Sequence, residues 1–276
     1  MAERQRLLVV IAIVLVVAAS GVVLRVGRHA GVEPRRAPAV VTAGRLDEDA
    51  LQQTSWWAEA QENVRESEYA VTRQERSVVE GKPGGLHAAN RAQNLRAYFR
   101  RDGVEVVPRT GDSAAWEWRW KLSSYGRSDN TIPVGEVEPT HERDRVEYDR
   151  PGITEWYKNT EEGIEQGFTI PERLQGDGRL VIEGIVGASL HAVSPDSGDR
   201  VRFLDGNNVE VLRYSSLKAF DAIGRELPAV MQLARNTVQL VVDDTNAIYP
   251  VTVDPIMTSP QWIAGSNQWD ANSGWS

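Results

Sequence analysis

Trp116, Trp118 and Trp120 occupy every second position of the segment AWEWRWK. At that spacing a β-strand projects side chains to a single face, so the three indoles share one side and Glu117 and Arg119 the other. An open row of rings would be a platform for stacking sugars. The same spacing suits the buried wall of a sheet, where each ring removes roughly 150–250 Å² from water. Solvent exposure of the rings separates the two readings.

Other side chains with chemical potential are scattered. Glu155, Glu161, Glu162 and Glu165 cluster in ITEWYKNTEEGIEQGFTI, and glycosidases use two carboxylates about 5–9 Å apart. Nothing beside these residues marks one of them for a raised pKa, so a solvated acidic loop is expected. His29, His87, His141 and His191 are more than forty residues apart, with no neighbouring His or Cys to give a metal-ligand spacing. The tripeptide Ser128-Asp129-Asn130 lacks the companion motifs of a serine nucleophile, and no phosphate loop or zinc-helix motif occurs. The expectation is a chain without catalytic residues, cofactor or metal.

Composition narrows the class further. The 276 residues carry a net charge of -8, which provides no positive field for a phosphate backbone, so nucleic acid is not an expected partner. Cysteine is absent. That removes thiolate sites and disulfides together and leaves stability to the core.

The chain begins with an apolar run, LLVVIAIVLVVAASGVVL, at residues 7–24. Its length corresponds to roughly 27 Å of helix, enough to cross a hydrocarbon core. Residues 1–24 therefore read as a signal peptide, with small residues at Ala18-Ala19-Ser20, or as an uncleaved membrane anchor. Arg25, Arg28, Arg35 and Arg36 follow the run while Arg4 and Arg6 precede it. By the positive-inside rule this bias favours a cytoplasmic body. Residues 25–46 read as a flexible tether. Residues 47–68 read as a short amphipathic helix with Asp47 as N-cap and Leu51, Trp57, Ala58 and Val64 as its apolar stripe.

From Tyr69 onward, turn signals recur between short β-branched or aromatic runs. Asp102-Gly103 marks a hairpin between 95–100 and 104–107; 81–85 reads as a loop; 180–185, 200–204, 209–214 and 237–242 read as strands. This rhythm predicts an all-β fold, an antiparallel β-sandwich over residues 69–255, preceded by the hydrophobic and amphipathic helices. A closing strand around Val251 and Val253 is expected to stop at Asp254-Pro255, since proline donates nothing to a ladder. Beyond it, Trp262, Trp269 and Trp275 lie among Gly, Ser, Asn and Asp, the pattern of an opening propeller blade over 256–276.

YPVTVDP followed by a spacer, a Trp and GWS resembles the junction between leader domain and repeats in exported bacterial proteins with FG-GAP (integrin-α-like) or SBBP propeller repeats. SEYAVT, AANRAQNLRAYFRRDGVEVVPR, ITEWYKNTEEGIEQGFTI and VLRYSSLKAFDAIGRELPAV resemble successive segments of that leader. The resemblance implies an exported body, secreted or anchored in the cell envelope, with a non-enzymatic structural or adhesive role. It also implies propeller repeats as downstream partners and protein or glycan ligands at the surface. The calcium loop of those propellers, D-x-[DN]-x-[DN]-G, is missing from this chain, so no calcium site carries over. The contrasting expectation is a Trp-rich carbohydrate-binding sandwich, or a hydrolase acting on glycosides.

Overall fold

The computed structural model describes residues 67–77, 83–110, 115–195 and 197–260. The expected hydrophobic run, the tether, nearly all of the amphipathic helix and the Trp-bearing tail lie outside the described residues. Among the described residues no helix is long and apolar enough to cross a membrane.

The described chain is all-β and antiparallel. In chain order its strands are β1 Val71–Arg76, β2 Pro83–Asn90, β3 Leu95–Arg100, β4 Gly103–Pro108, β5 Trp118–Arg127, β6 Asn130–Pro133, β7 Thr140–Glu142, β8 Arg145–Arg150 and β9 Ile153–Asn159. They continue as β10 Ile164–Ile170, β11 Leu180–Ala188, β12 His191–Val193, β13 Arg200–Leu204, β14 Glu210–Phe220, β15 Ala229–Ala234, β16 Thr237–Val242 and β17 Val251–Thr258. One sheet, A, runs β1-β2-β3-β4-β5-β11-β16-β15, with β6 also paired to β5; the other, B, runs β12-β13-β14-β17-β10-β9-β8-β7.

Period-two alternation explains how the two sheets make one core. On β10, Ile164, Gln166, Phe168 and Ile170 turn inward and are buried, while Glu165 and Thr169 between them are half-exposed. Inward residues of both sheets, among them Leu86, Val106, Trp118 and Leu240 of A and Val146, Phe168, Phe203 and Val253 of B, belong to a single apolar cluster. That is a sandwich-like arrangement with a shared interior.

Three expectations shift. The hairpin closes on Arg100↔Gly103, so its two loop residues are Arg101-Asp102. The expected loop at 81–85 gives way to β2, which begins at Pro83. The largest change is at Asp254-Pro255, where β17 does not stop but runs on to Thr258 as an internal strand between β14 and β10. The ladder absorbs the proline through its neighbour. Between the pairs Ser215↔Ile256 and Lys218↔Asp254, two residues of β14 face the single Pro255, and Ser216 takes a φ of 55°. This bulge removes the demand for a donor where proline has none. The β-body therefore extends three residues past the expected boundary at 255.

Candidate functional site

The tryptophan row divides on folding. Trp118 and Trp120 begin β5 and are 0% and 1% exposed, whereas Trp116 precedes the strand and packs half-buried at the margin of the core. The two buried rings stack on one another with centroids 6.4 Å apart. Trp118 meets Phe203 edge-on at 5.7 Å and Trp120 meets Phe168 at 6.3 Å, so the rings bridge the sheets. Gly184 on β11 lies directly under Trp120, and a Cβ there would overlap the indole. The platform reading is corrected: neither Trp118 nor Trp120 offers an open face to a sugar. Glu117 and Arg119 do point the other way, as expected, and pair with each other.

The acidic cluster also divides. Glu161 and Glu162 are exposed in the turn before β10, but Glu155 on β9 is 1% exposed at the centre of the interior. Its Oε1 accepts hydrogen bonds from Trp120 Nε1 (3.0 Å), Tyr157 OH (2.7 Å) and Gln166 Nε2 (3.0 Å). Its Oε2 accepts from the Arg150 guanidinium at 2.9 Å. Gln166 in turn accepts from Tyr214 OH at 2.7 Å. Burial, followed by the nearby Glu155 carboxylate, pushes the phenols of Tyr157 and Tyr214 well above their ordinary range, so both stay protonated donors. A carboxylate held by four donors in a packed core is anchored, with no room beside it for a substrate. The signal missed in the sequence was its phase: Glu155 shares the inward register of Ile153 and Tyr157.

A second polar group closes one end of the sandwich. Arg127, at the end of β5, is fully buried and donates two hydrogen bonds, of 2.6 and 2.7 Å, to the two oxygens of Asp244. Tyr249 OH also donates to Asp244, and Arg127 reaches the carbonyls of Leu174 and Gly178. At the opposite end, three buried amides link the sheets. Asn90 Nδ2 donates to Asn159 Oδ1 at 2.9 Å and Asn159 Nδ2 to Tyr69 O at 3.0 Å, while Gln93 Oε1 accepts from Ser259 N at 2.9 Å. Neither group was singled out in the sequence, since Asn and Gln between strands read as turn residues.

Two carboxyls do meet on the outer face of sheet B. Asp254 of β17 is hydrogen-bonded to Glu165 of β10. Burial, that hydrogen bond and the charge of Glu165 push Asp254 up to about 7, against the opposing pull of Lys218 and Arg145. Beside them Trp156 lies over Gly167, its Nε1 donating to Thr169 at 3.2 Å, with the Arg145 guanidinium 4.2 Å above the ring. Both faces of that indole are thus occupied.

His141 and His191 are exposed on separate strands, His87 is buried beside Tyr98, and His29 lies outside the described residues. No group of three metal-ligating side chains occurs among the described residues. A groove of about 350 Å³ runs past Tyr125, Ile132, Val137 and Arg150, and another of about 360 Å³ past Val186, Leu190, His191 and Arg235. Glu136 and Asp149 also line the first groove. Comparison with protein-family models and with curated proteins returns no match.

Proposed function

We propose that this chain is a non-enzymatic, exported or cell-surface structural domain whose β-body mounts and caps a propeller of the FG-GAP type. One observation carries the reading: the chain enters and leaves the body at the same polar knot. Tyr69 O, just before β1, accepts from Asn159, and Ser259 N, just after β17, donates to Gln93; Gln93 also holds Glu161 O at 3.2 Å. Because β17 is internal to sheet B, whatever follows Ser259 leaves from the middle of a sheet, so a load on it spreads to β14 and β10. An edge strand would peel.

In this proposal residues 7–24 target or anchor the body, the chain beyond Thr258 opens the first blade, and the body shields that blade's unpaired edge. The sandwich preceded by helices belongs to the same proposal. The sugar-binding alternative loses its support with the burial of Trp118 and Trp120.

The test uses intact cells producing the full product of the source gene, with and without residues 69–258, exposed to an external protease. Propeller repeats in the complete product should resist digestion and be cleaved within minutes once the body is deleted; a product without such repeats overturns the capping role. Equal resistance of the two overturns the capping role. Digestion only after the cells are permeabilised overturns export.

A further inference from the structure

We propose that the groove between β6 and the β8–β9 turn binds a small organic cation, an ammonium carried on an apolar stem. Its apolar lining comes from Tyr125 of β5, from Ile132, Val134 and Val137 in and after β6, and from Pro151 in the turn. Ile132 is 44% exposed, so part of this lining is open to solvent. The volume of about 350 Å³ falls at the lower end of the range for small-ligand sites, about 300–1,000 Å³. The two walls are already fastened to each other. Tyr125 OH donates to Pro151 O, and Arg150 Nε, at the end of β8, donates to Gly135 O at 3.3 Å. Val134 N and Val137 N are bound as well, to Ser123 O at 2.9 Å and to Arg101 O at 3.2 Å, so the segment between β6 and β7 is held although it belongs to no strand. A site formed in advance spares its ligand the cost of ordering it.

Charge selects the sign of the ligand. Glu136, Asp149 and Arg150 are the charged residues of the lining. The Arg150 guanidinium is answered from within the core by Glu155 Oε2 at 2.9 Å, and those side chains are only 8% and 2% exposed. Its charge is therefore spent inside the protein. Glu136 shares Lys121 at 3.7 Å, both side chains being half in solvent. Asp149 is exposed and meets no cation among the described residues; its side chain accepts from Thr154 Oγ1 at 3.2 Å. An apolar trough beside an unanswered carboxylate complements a stem with a positive head. An anionic ligand on the same stem would meet both Asp149 and Glu136 with like charge.

The test titrates the full chain with 2-phenylethylamine, 2-phenylethanol and 3-phenylpropionate, which share a stem and differ in charge, and follows the backbone amide NMR signals of Val134, Gly135 and Val137. The amine should move these signals with a Kd of about 1 mM. Because an exposed ion pair contributes little, the alcohol should bind only about threefold more weakly, and the carboxylate more weakly still. Asp149→Asn keeps an acceptor for Thr154 and should bring the amine to the affinity of the alcohol. The alcohol should be unaffected, which reports that the groove itself is intact in the variant. Equal affinity for the three probes overturns the proposal, as does an amine affinity that Asp149→Asn leaves unchanged or an absence of shifts at these amides up to about 10 mM amine. Tighter binding of the peptide acetyl-Gly-Phe-Lys-Gly-amide than of the free amine also overturns it, and assigns the groove to a segment of protein.

Discussion

Asp244 and Asp254 stand on either side of the entry to β17, and their protonation is drawn in opposite directions. Asp244 lies at the closed end of the sandwich. Burial pushes its carboxyl up, but the Arg127 and Tyr249 hydrogen bonds and the charges of Arg127 and Arg173 outweigh burial and hold it below the usual range. Asp254 lies on the outer face of sheet B, and there burial acts together with Glu165 to push it up to about 7. Burial pushes both carboxyls up, so it does not decide the sign. The partner does: a guanidinium fork favours the carboxylate, and a second carboxyl favours the acid. The first arrangement fastens three segments of chain. The second leaves a proton-sensitive spot on the outer face of sheet B.

Removing the fork has the largest expected effect. Arg127→Ala strands Asp244 in the interior without its main partner, and a buried charge left uncompensated costs about 3–5 kcal/mol. Urea melts should show that loss. Arg127→Met combined with Asp244→Leu should recover most of it, because apolar replacement of both partners removes the desolvation penalty along with the attraction. A single-variant loss below about 1 kcal/mol would mean that Asp244 reaches water, and its contrast with Asp254 would lose its basis.

Glu155 adds a third environment, the centre of the core, where one guanidinium and three neutral donors share the carboxylate. Trp120→Phe removes the indole donor and part of the ring while leaving Tyr157, Gln166 and Arg150 in place. The expected loss is about 1–3 kcal/mol, from one missing hydrogen bond and a small cavity. Calorimetric unfolding at neutral pH measures it. A larger loss than that of Arg127→Ala would show that the central network, not the end fork, is the more tightly coupled of the two.

Strand rhythm was legible in the sequence because turns and β-branched runs are local signals. The runs 200–204 and 237–242 coincide with β13 and β16. What was not legible depends on strands that meet only in the fold. Pro255 reads as a stop until the bulge at Ser216 and Leu217 is placed opposite it, some forty residues away in the chain. Glu155 reads as one of four loop acids until Trp120 and Arg150 are brought to it. Trp118 and Trp120 were legible as a row on one face, but which face becomes interior depends on sheet B closing over them, with Phe203 and Phe168 as the contacting rings. Likewise, Asp254 and Glu165 carry no mark of their pairing, since only the β10–β17 register, which opposes Glu165 to Ile256, makes them diagonal neighbours.

That last pair yields an effect that depends on pH. A carboxyl raised from 3.8 to about 7 by folding binds its proton more tightly in the folded chain. Its contribution to stability is therefore complete below about pH 4, declines as pH rises, and is lost above about pH 7. Asp244, with its folded value depressed, behaves in the opposite sense: its contribution is complete above the ordinary carboxylate value and is lost as acid drives the pH below it. Asp254→Asn imitates the protonated form at every pH. The variant should match the parent chain near pH 4 and exceed it in urea midpoint by a margin that grows up to about pH 7 and then levels. Lys218 and Arg145 limit the margin by favouring the charged form, and salt should alter it, because the pair is only partly shielded from solvent. Glu165→Gln should flatten the same slope from the other side by removing the neighbouring negative charge. If Asp254→Asn runs parallel to the parent between pH 4 and pH 7, the two carboxyls do not share a proton, and Asp254 titrates like an ordinary surface acid.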